Sequence, residues 1–239
     1  MHPLVTRLAS VTQLTDAERA ALVRVPLQVE EVGAGQDILR EGSRPDRSCL
    51  VLEGMACTYK VTGEGRRQNT AFHIAGDMPD LQGLHLTASD SCLGAATACR
   101  VAFFPHQSLR ELCRRHPGLA DAFWRETLVQ AASCREWVLN VGRRQALGRM
   151  AHLLCELVVR HRAAGLGDGR SCDLRLSQAA LADALGLSVV HVNRVLQDLR
   201  SLELLVWDGA HLLVLDWERL ALVADFDPAY LYLAPDRTA

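Results

Sequence analysis

The sequence predicts an α+β protein with an N-terminal region of short strands, a long central helix and a helical C-terminal region. From Leu27 to about Pro105, short apolar or alternating runs are separated by glycines, which is typical of antiparallel strands joined by tight turns. After Pro105 the apolar residues recur at helical spacing instead. A chain of 239 residues is long enough to build more than one hydrophobic core.

The strand region is predicted to form an antiparallel sandwich or roll. Cys49–Leu52 and Cys99–Phe103 have the composition of strands, and Gly63-Glu64-Gly65 suits a hairpin turn. A helix from Thr15 to Val25 is expected before this region, because Thr15 and Asp16 favour a helix start.

Two helices are expected directly after the strands. His106–Arg115 forms a short helix that Pro117 ends, and a longer helix runs from Leu119 to about Asn140. Its apolar stripe is wider than one intramolecular face needs, so we expect a dimer interface, with packing on its own domain as the alternative. The stripe comprises Leu119, Ala122, Phe123, Leu128, Val129, Ala132, Val138 and Leu139.

A hinge and a further helix are expected next. Asn140-Val141-Gly142 contains residues compatible with a hinge or cap and should interrupt the long helix. Arg143–Arg162 then has the pattern of an amphipathic helix, and Ala163–Gly169 that of a small-residue loop.

The segment Ser177–Leu202 has the pattern of a helix-turn-helix. Ser177 can cap a first helix, and Gly186 permits the tight turn because its left-handed backbone needs no Cβ. Ser188 can cap a second helix, predicted to span residues 189–201, with its apolar positions facing the first. The outer positions near the start of this second helix would face the major groove of DNA.

A hairpin after the second helix completes a winged helix-turn-helix. Leu204–Val206 and Leu212–Leu215 are the predicted strands, and Asp208-Gly209 is the turn between them. DNA binding is therefore expected. We expect contacts with DNA from Ser177, Gln178, Ser188, Val189, Val190, His191, Asn193, Arg194 and Gln197.

The charge distribution is compatible with DNA binding although the formal net charge is −2. From Gly142 to Glu203 the chain has nine arginines against six carboxylates, so the basic groups are concentrated near the predicted motif. The eight cysteines are scattered without a CxxC pair, which disfavours zinc and a disulfide framework. There is neither a signal peptide nor an apolar run of about 18 residues, so we expect a cytoplasmic protein away from the membrane, without metal or an assigned cofactor.

The stretch LSQAALADALGLSVVHVNRVLQDLRSLELL closely resembles the DNA-binding domain of CRP/FNR-family bacterial transcription regulators. The resemblance covers most of the chain, and the closing LDWERLALVADFDPAYLYL resembles alphaproteobacterial members. It implies a cyclic-nucleotide-binding-like β-roll sensor domain over residues 1–117, a dimerisation helix and hinge over 118–141, and a winged helix-turn-helix domain over 142–239. It also implies a homodimer, not an enzyme, that binds a palindromic operator in double-stranded DNA and acts with RNA polymerase.

The resemblance assigns roles to individual residues of the second helix. Arg194 matches the family's arginine that hydrogen-bonds a guanine, and an arginine fork fits guanine O6 and N7. Val190 lies where many members have a glutamate that reads cytosine, and valine cannot accept that hydrogen bond. The operator is therefore expected to differ at that position. His191 and Asn193 are expected to add phosphate or base contacts.

The resemblance also shows what the sensor domain lacks. Family members bind the cyclic nucleotide with a Gly-Glu pair that opens a short helix, followed by an Arg-Ser or Arg-Thr pair. The corresponding stretch Gly76–Ser91 has no arginine, since none lies between Arg67 and Arg100, and Asp80 and Asp90 would oppose a phosphate. Control by cyclic AMP in the usual mode is therefore not expected.

Other input signals remain open. An iron–sulfur cluster is disfavoured, because FNR-like sensors cluster cysteines near the N-terminus and the first here is Cys49. The protein would be a gas or redox sensor of the same fold if it bound haem through His2, His73 or His85, or if it had a reactive thiol. A further alternative is a cyclic-nucleotide-binding module that acts on a partner protein. An enzyme built on His73, His85 and Asp80 is disfavoured, because no catalytic motif accompanies them.

Overall fold

The computed structural model describes residues 2–234, which form two compact units. The first unit comprises residues up to 60, residues 72–131 and residues from 232 onward, and the second comprises residues 61–71 and 132–231. Within the described range, no single helix is long and apolar enough to cross a membrane; one bent pair of consecutive helices passes that test of length and composition only when the two are taken together.

The predicted antiparallel roll is present. The elements up to the long helix are α1 (Pro3–Ala9), α2 (Asp16–Val23), β1 (Gln28–Val32), β2 (Asp37–Leu39), β3 (Arg47–Glu53), β4 (Ala56–Val61), β5 (Arg67–His73), a 3-10 turn (Leu81–Leu84), β6 (Cys92–Ala95), β7 (Cys99–Pro105), α3 (His106–Arg115) and α4 (Pro117–Arg143). They include two sheets of strand order β1-β7-β3 and β2-β6-β4-β5. Strand β7 pairs antiparallel with β1 and β3, and β6 with β2 and β4.

Alternation along β3 supplies two hydrophobic cores. Cys49 and Val51 point into a core between the two sheets, whereas Leu50 joins a second core that contains Leu109 and Phe123 of the helices. Successive side chains of a strand point to opposite faces, so a strand buried on both faces shows a continuous apolar run rather than an alternating one.

The N-terminal helices differ in how well the sequence predicts them. α2 begins as expected, because Thr15 and Glu18 form a reciprocal capping box, but it ends at Val23 rather than Val25. α1 was not predicted. It has only seven residues, and its place depends on burying Leu4 and Leu8 against the rest of the first unit.

The expected interruption at Asn140-Val141-Gly142 is wrong, because α4 continues to Arg143. One exposed glycine inside a helix costs only about 1 kcal/mol, which packing of the rest of the helix offsets. The Asn140 amide does not cap the helix but donates to the carbonyl of Arg149 at 3.3 Å. The following helix consequently begins later than expected, at Ala146 rather than Arg143.

The remaining elements belong to the second unit. They are α5 (Ala146–Ala163), β8 (Ser171–Asp173), α6 (Gln178–Leu185), α7 (Val189–Ser201), β9 (Leu205–Trp207), β10 (His211–Val214), α8 (Trp217–Ala224) and a 3-10 turn (Pro228–Leu231). The wing hairpin is thus extended to a three-stranded sheet of order β8-β10-β9. The sequence did not predict β8, since a three-residue strand exists only through its pairing with β10.

A buried polar cluster around Glu156 holds the C-terminal turn to α5. The fully buried Glu156 carboxylate accepts hydrogen bonds from Trp137 Nε1 at 3.0 Å and from the Tyr230 hydroxyl at 2.8 Å, and it pairs with Arg160 at 3.1 Å. Beside it, the His152 ring stacks on Tyr230 with centroids 5.9 Å apart. Charges buried in this way are stable only when they are paired and hydrogen-bonded.

Candidate nucleic-acid interface

Helices α6 and α7 form a helix-turn-helix with the predicted caps. Ser177 Oγ accepts a hydrogen bond from the Ala180 amide at 3.1 Å, and Ser188 Oγ accepts one from the His191 amide at 3.2 Å. Between the helices Gly186 has φ +64°, the left-handed conformation that the sequence predicted for the turn. The chain bends by 97° from one helix to the next.

Helix α7 has a buried apolar face and an exposed outer face. Val192, Val195, Leu196 and Leu199 are buried, whereas Ser188, Val189, Val190, Asn193, Arg194 and Gln197 are exposed. His191 is half-buried, and Val190 is the most open of the apolar residues of this helix, with 80% of its surface exposed. The exposed residues of α7 that are expected to contact DNA therefore lie away from its buried face, on the side that a recognition helix turns to DNA. The two outer residues at the start of α6, Ser177 and Gln178, are also exposed.

Arg149 of α5 orients the helix-turn-helix. Its guanidinium donates to the carbonyl of Leu185, the last residue of α6, at 3.0 Å, and to the carbonyl of Arg144 at 2.8 Å. Carbonyls at a helix C-terminus lack partners within the helix, so a cation there satisfies them and complements the helix dipole. Sequence reasoning counted Arg149 only as part of the basic charge and missed this structural role.

The wing has the turn that the sequence predicted. Asp208 Oδ1 accepts hydrogen bonds from the amides of Ala210 at 2.8 Å and His211 at 2.7 Å, and Gly209 has φ +94°. The indole of Trp207 at the end of β9 donates to the carbonyl of Leu174 at 3.0 Å. The wing is thereby tied to the chain that precedes α6.

The basic residues of this region divide into two groups. Some are engaged inside the fold, since Arg144 pairs with Glu136 at 2.8 Å and Arg160 pairs with Glu156. Others have exposed side chains that remain available to phosphates, and these include Arg143, Arg170, Arg175 and Arg194. The usable basic charge is therefore smaller than the count from the sequence suggests.

In the segment that the family resemblance assigns to the nucleotide phosphate, Gly76 and Asp77 are engaged by other groups of the first unit. The amides of Gly76 and Asp77 donate to the carbonyls of Val51 and Ile74 at 2.9 and 3.1 Å. The Asp77 carboxylate accepts from the Ile74 amide at 2.8 Å and lies 3.3 Å from the Arg7 guanidinium of α1. Helix α1 also covers Gly76, where an added Cβ would lie 2.8 Å from the Pro3 carbonyl oxygen.

The residues considered for haem binding or catalysis lie in separate environments. His73 Nε2 is hydrogen-bonded to Thr58 Oγ1 at 2.7 Å, and His85 is exposed. Asp80 is buried and accepts from the Cys49 amide at 2.8 Å, and burial raises its pKa to about 7. His2 is half-buried next to the chain terminus, and burial lowers its pKa.

No disulfide joins the eight cysteines, all of which lie within residues 2–234, and most of them are buried. Burial raises the pKa of the thiols of Cys49, Cys99 and Cys113, and raises the pKa of Cys155 and Cys172 to about 12. A thiol with a raised pKa is a poor nucleophile, because the thiolate is the reactive form. Across residues 2–234, no group of three or more His, Cys, Asp and Glu side chains is arranged to hold a metal ion.

Two family models match the chain, one over the N-terminal strands and one over the C-terminal helix-turn-helix. One, described as "Cyclic nucleotide-binding domain", matches residues 29–116, and the other, "Crp-like helix-turn-helix domain", matches residues 148–223. The fold, the helix-turn-helix and these matches define a DNA-binding transcription regulator with a cyclic-nucleotide-binding-like domain. The chain belongs to the CRP/FNR family.

Known proteins are similar to this chain over most of its length. It is 28% identical over 221 residues to a probable transcriptional activator of Rhizobium leguminosarum bv. viciae, covering 92% of this chain and 88% of that protein. It is 27% identical over 218 residues to the transcriptional activator protein FnrL of Cereibacter sphaeroides, covering 90% and 87%. The solved structure of FixK2 from Bradyrhizobium japonicum superposes with a TM-score of 0.74 at 25% identity, covering 83% of this chain and 98% of that one. The first two relatives are described as transcriptional activators, and the protein is a regulator rather than an enzyme.

Proposed function

We propose that the protein is a cytoplasmic homodimer that reads a palindromic operator through α7 and acts on transcription together with RNA polymerase. The observation that carries the proposal is the outer face of α7. The exposed residues of this face lie near the N-terminus of α7, which Ser188 caps. Packing of the buried residues on the opposite side of the helix fixes its orientation. A helix N-terminus with exposed polar side chains suits both phosphate positioning and base contact.

Within this face, Arg194 and Val190 are proposed to set the sequence preference. Arg194 is exposed and can present its fork to a guanine. Val190 offers only methyl groups, which suit the methyl group of thymine and leave a cytosine amine without an acceptor. Ser177, Gln178, Ser188, Val189, His191, Asn193 and Gln197 are proposed to contact phosphates or neighbouring bases.

Selection of bound sequences from random DNA tests this assignment. The wild-type protein should select a palindrome, and Arg194→Ala should lose about 1–3 kcal/mol at one guanine of each half-site. Val190→Glu should shift the preference at one position of each half-site towards cytosine. Arg219→Ala is a matched control, because this exposed arginine belongs to α8, outside the helix-turn-helix. An equal loss for Arg194→Ala on operator and on random DNA would show that Arg194 contacts only phosphate.

The proposed dimer interface is the outer stripe of α4. The residues of the predicted stripe divide in two: Leu119, Ala122, Phe123, Val129 and Ala132 are buried within the chain, whereas Leu128, Val138 and Leu139 remain exposed. Val138, with 69% of its surface exposed, lies seven residues from Ala131 and fourteen from Trp124, which are exposed as well. Exposed apolar residues at heptad spacing suit a parallel helix pair.

Light scattering at micromolar concentration tests the interface. Leu128→Glu and Val138→Glu should convert a dimer to a monomer, because each places a charge in the seam of two facing helices. Leu222→Glu is the matched control, since Leu222 of α8 is even more exposed, at 81%, and lies outside the stripe. A wild-type monomer would refute the proposal, and so would a control variant that dissociates equally well.

We also propose that cyclic AMP does not control this regulator in the family's usual mode. The residues of Gly76–Ser91 do not fit the phosphate: the Asp77 carboxylate is engaged by Arg7, the local amides donate to carbonyls, and the segment has no arginine. Calorimetry with cyclic AMP and cyclic GMP should therefore show no binding. Submillimolar affinity for either nucleotide would overturn this part of the proposal.

A further inference from the structure

The first unit contains a cavity outside the segment discussed for nucleotides. It has a volume of about 630 Å³ and lies among the 3-10 turn Leu81–Leu84, α3 and α4. Neither Gly76 nor Asp77 nor any residue of a strand contributes to its walls. A volume in this range is typical of sites for small organic molecules.

The floor of the cavity is apolar. Leu81, Leu84 and Phe123 are buried beneath it, and Leu86 and Trp124 stand at its edge with 56% and 61% of their surfaces exposed. Large apolar side chains left open around a cavity lower the free energy when an apolar ligand covers them.

The rim of the cavity is basic. Arg110 and Arg114 lie one turn apart on the same face of α3, and His85 lies opposite on the loop after the 3-10 turn. Arg110 donates to the Leu84 carbonyl at 2.9 Å, and neither arginine has a carboxylate partner among residues 2–234. The next arginine of the same helix, Arg115, does pair with a carboxylate, that of Glu111.

The basic rim continues into a neighbouring cavity of about 540 Å³. The two cavities share His85, Leu86 and Arg110, and the second adds Arg44 and the carboxylate of Asp46. Arginine is thus in excess over carboxylate along the whole opening. In the apolar cavity, burial raises the pKa of the Cys113 thiol, so this wall residue is neutral.

We infer that this cavity binds a small amphipathic carboxylate, with its apolar body on Leu81, Leu84, Phe123 and Trp124 and its carboxylate at Arg110 and Arg114. Charge complementarity decides the class of ligand, because an apolar floor alone would accept a neutral molecule equally well. An arginine fork binds a carboxylate with two parallel hydrogen bonds. The inference concerns binding and stands independently of the DNA-reading role proposed above.

The position of the cavity offers a route from ligand to output, which rests on the proposed dimer. Trp124 forms one wall of the cavity and is also the N-terminal residue of the exposed stripe on α4. A bound apolar body would restrict the Trp124 side chain, one turn away from Leu128. Ligand and partner helix therefore share this side chain.

Calorimetry with two acids and their neutral counterparts tests the inference on the full chain. Octanoate and 2-naphthoate represent a flexible and a flat apolar body, and 1-octanol and 2-naphthylmethanol lack the carboxylate. We expect at least one acid to bind with a Kd on the order of 100 µM or tighter, as is ordinary for a ligand of about a dozen non-hydrogen atoms. Each alcohol should bind at least about fivefold more weakly than its acid.

Three variants locate the site. Arg114→Gln should weaken acid binding about five- to tenfold, because it removes the charge and keeps a side chain of similar polarity. Arg115→Gln, on the same helix but outside the cavity, should leave the affinity unchanged. Ala120→Trp should fill the cavity and abolish binding, with circular dichroism to confirm that this variant is folded.

Several results would overturn the inference. They are the absence of binding by both acids, equal affinity for acid and alcohol, and equal losses for Arg114→Gln and Arg115→Gln. If the acids bound to the Leu128→Glu variant but not to the wild-type protein, a second copy of the chain would cover the cavity. The wild-type protein would then not bind the inferred ligand. None of these measurements involves DNA, so their failure is distinct from a failure of the proposed regulator function.

Discussion

The turn between the two DNA-binding helices offers a direct test of backbone strain. Gly186 has φ +64°, a conformation that costs an L-amino acid about 1–2 kcal/mol. A Cβ at this position would lie 3.6 Å from Val141 Cγ1, which is ordinary van der Waals contact, so Gly186→Ala creates strain without a clash. Alanine also reduces the entropy of the unfolded chain by an amount worth about 0.4–1 kcal/mol. The net loss of stability should therefore be about 1 kcal/mol.

Gly142 provides the matched control with the opposite sign. It is the penultimate residue of α4, and a Cβ there would meet no atom within 4 Å apart from the backbone of its own helix. Gly142→Ala should therefore stabilise the protein by about 0.5–1 kcal/mol, since alanine favours the helix. Gly186→Asn should cost less than Gly186→Ala, because asparagine tolerates the left-handed conformation.

Urea unfolding followed by circular dichroism measures all three variants at one protein concentration, because the proposed dimer would make the midpoint depend on concentration. The expected order of midpoints is Gly142→Ala above wild type, then Gly186→Asn, then Gly186→Ala. If Gly186→Ala unfolded at the wild-type midpoint, or Gly142→Ala lost as much stability as Gly186→Ala, the strain argument would be refuted.

Three further predictions concern buried polar groups. Tyr230→Phe should lower the free energy of unfolding in urea by about 1–2 kcal/mol, because the Glu156 carboxylate loses a hydrogen-bond donor. An unchanged midpoint would show that this hydrogen bond is energetically neutral. Burial, and then the neighbouring Arg144, lower the pKa of His152 to about 4, so below pH 6.5 the unfolded chain takes up a proton that the folded protein does not. The free energy of unfolding should therefore fall by up to about 3 kcal/mol between pH 6.5 and pH 4. His152→Phe should reduce this pH dependence; an unchanged pH dependence would show that other groups cause it. Asp77→Asn removes one of two carboxylates that pair with the same buried guanidinium and should lower the unfolding free energy by about 2 kcal/mol, a loss that a neutral result would contradict.

The helix-turn-helix was the part of the fold most open to prediction. Its caps at Ser177 and Ser188, its turn at Gly186 and the span of α7 depend on interactions within a few residues, and these are written in the local sequence. The same holds for the capping box at Thr15. The assignment of individual side chains to DNA contacts remains a prediction.

The misses share a physical cause. α1 and β8 are too short to be stable alone and exist through burial of Leu4 and Leu8 and through pairing with β10. At Gly142 local propensity pointed to a break, but the packing of a 27-residue helix outweighed it.

The sequence by itself determined that this chain carries a winged helix-turn-helix behind a glycine-punctuated roll, and that the roll lacks an arginine for a nucleotide phosphate. Only the tertiary structure decided which groups engage the corresponding segment. The buried guanidinium of Arg7 pairs with both Glu126 and Asp77, although Asp77 lies 70 residues away along the chain. Arg110, Arg114 and Trp124 line one open apolar cavity. Capping and turn formation act between near neighbours, whereas buried ion pairs and cavities join side chains whose separation in sequence gives no sign of their contact.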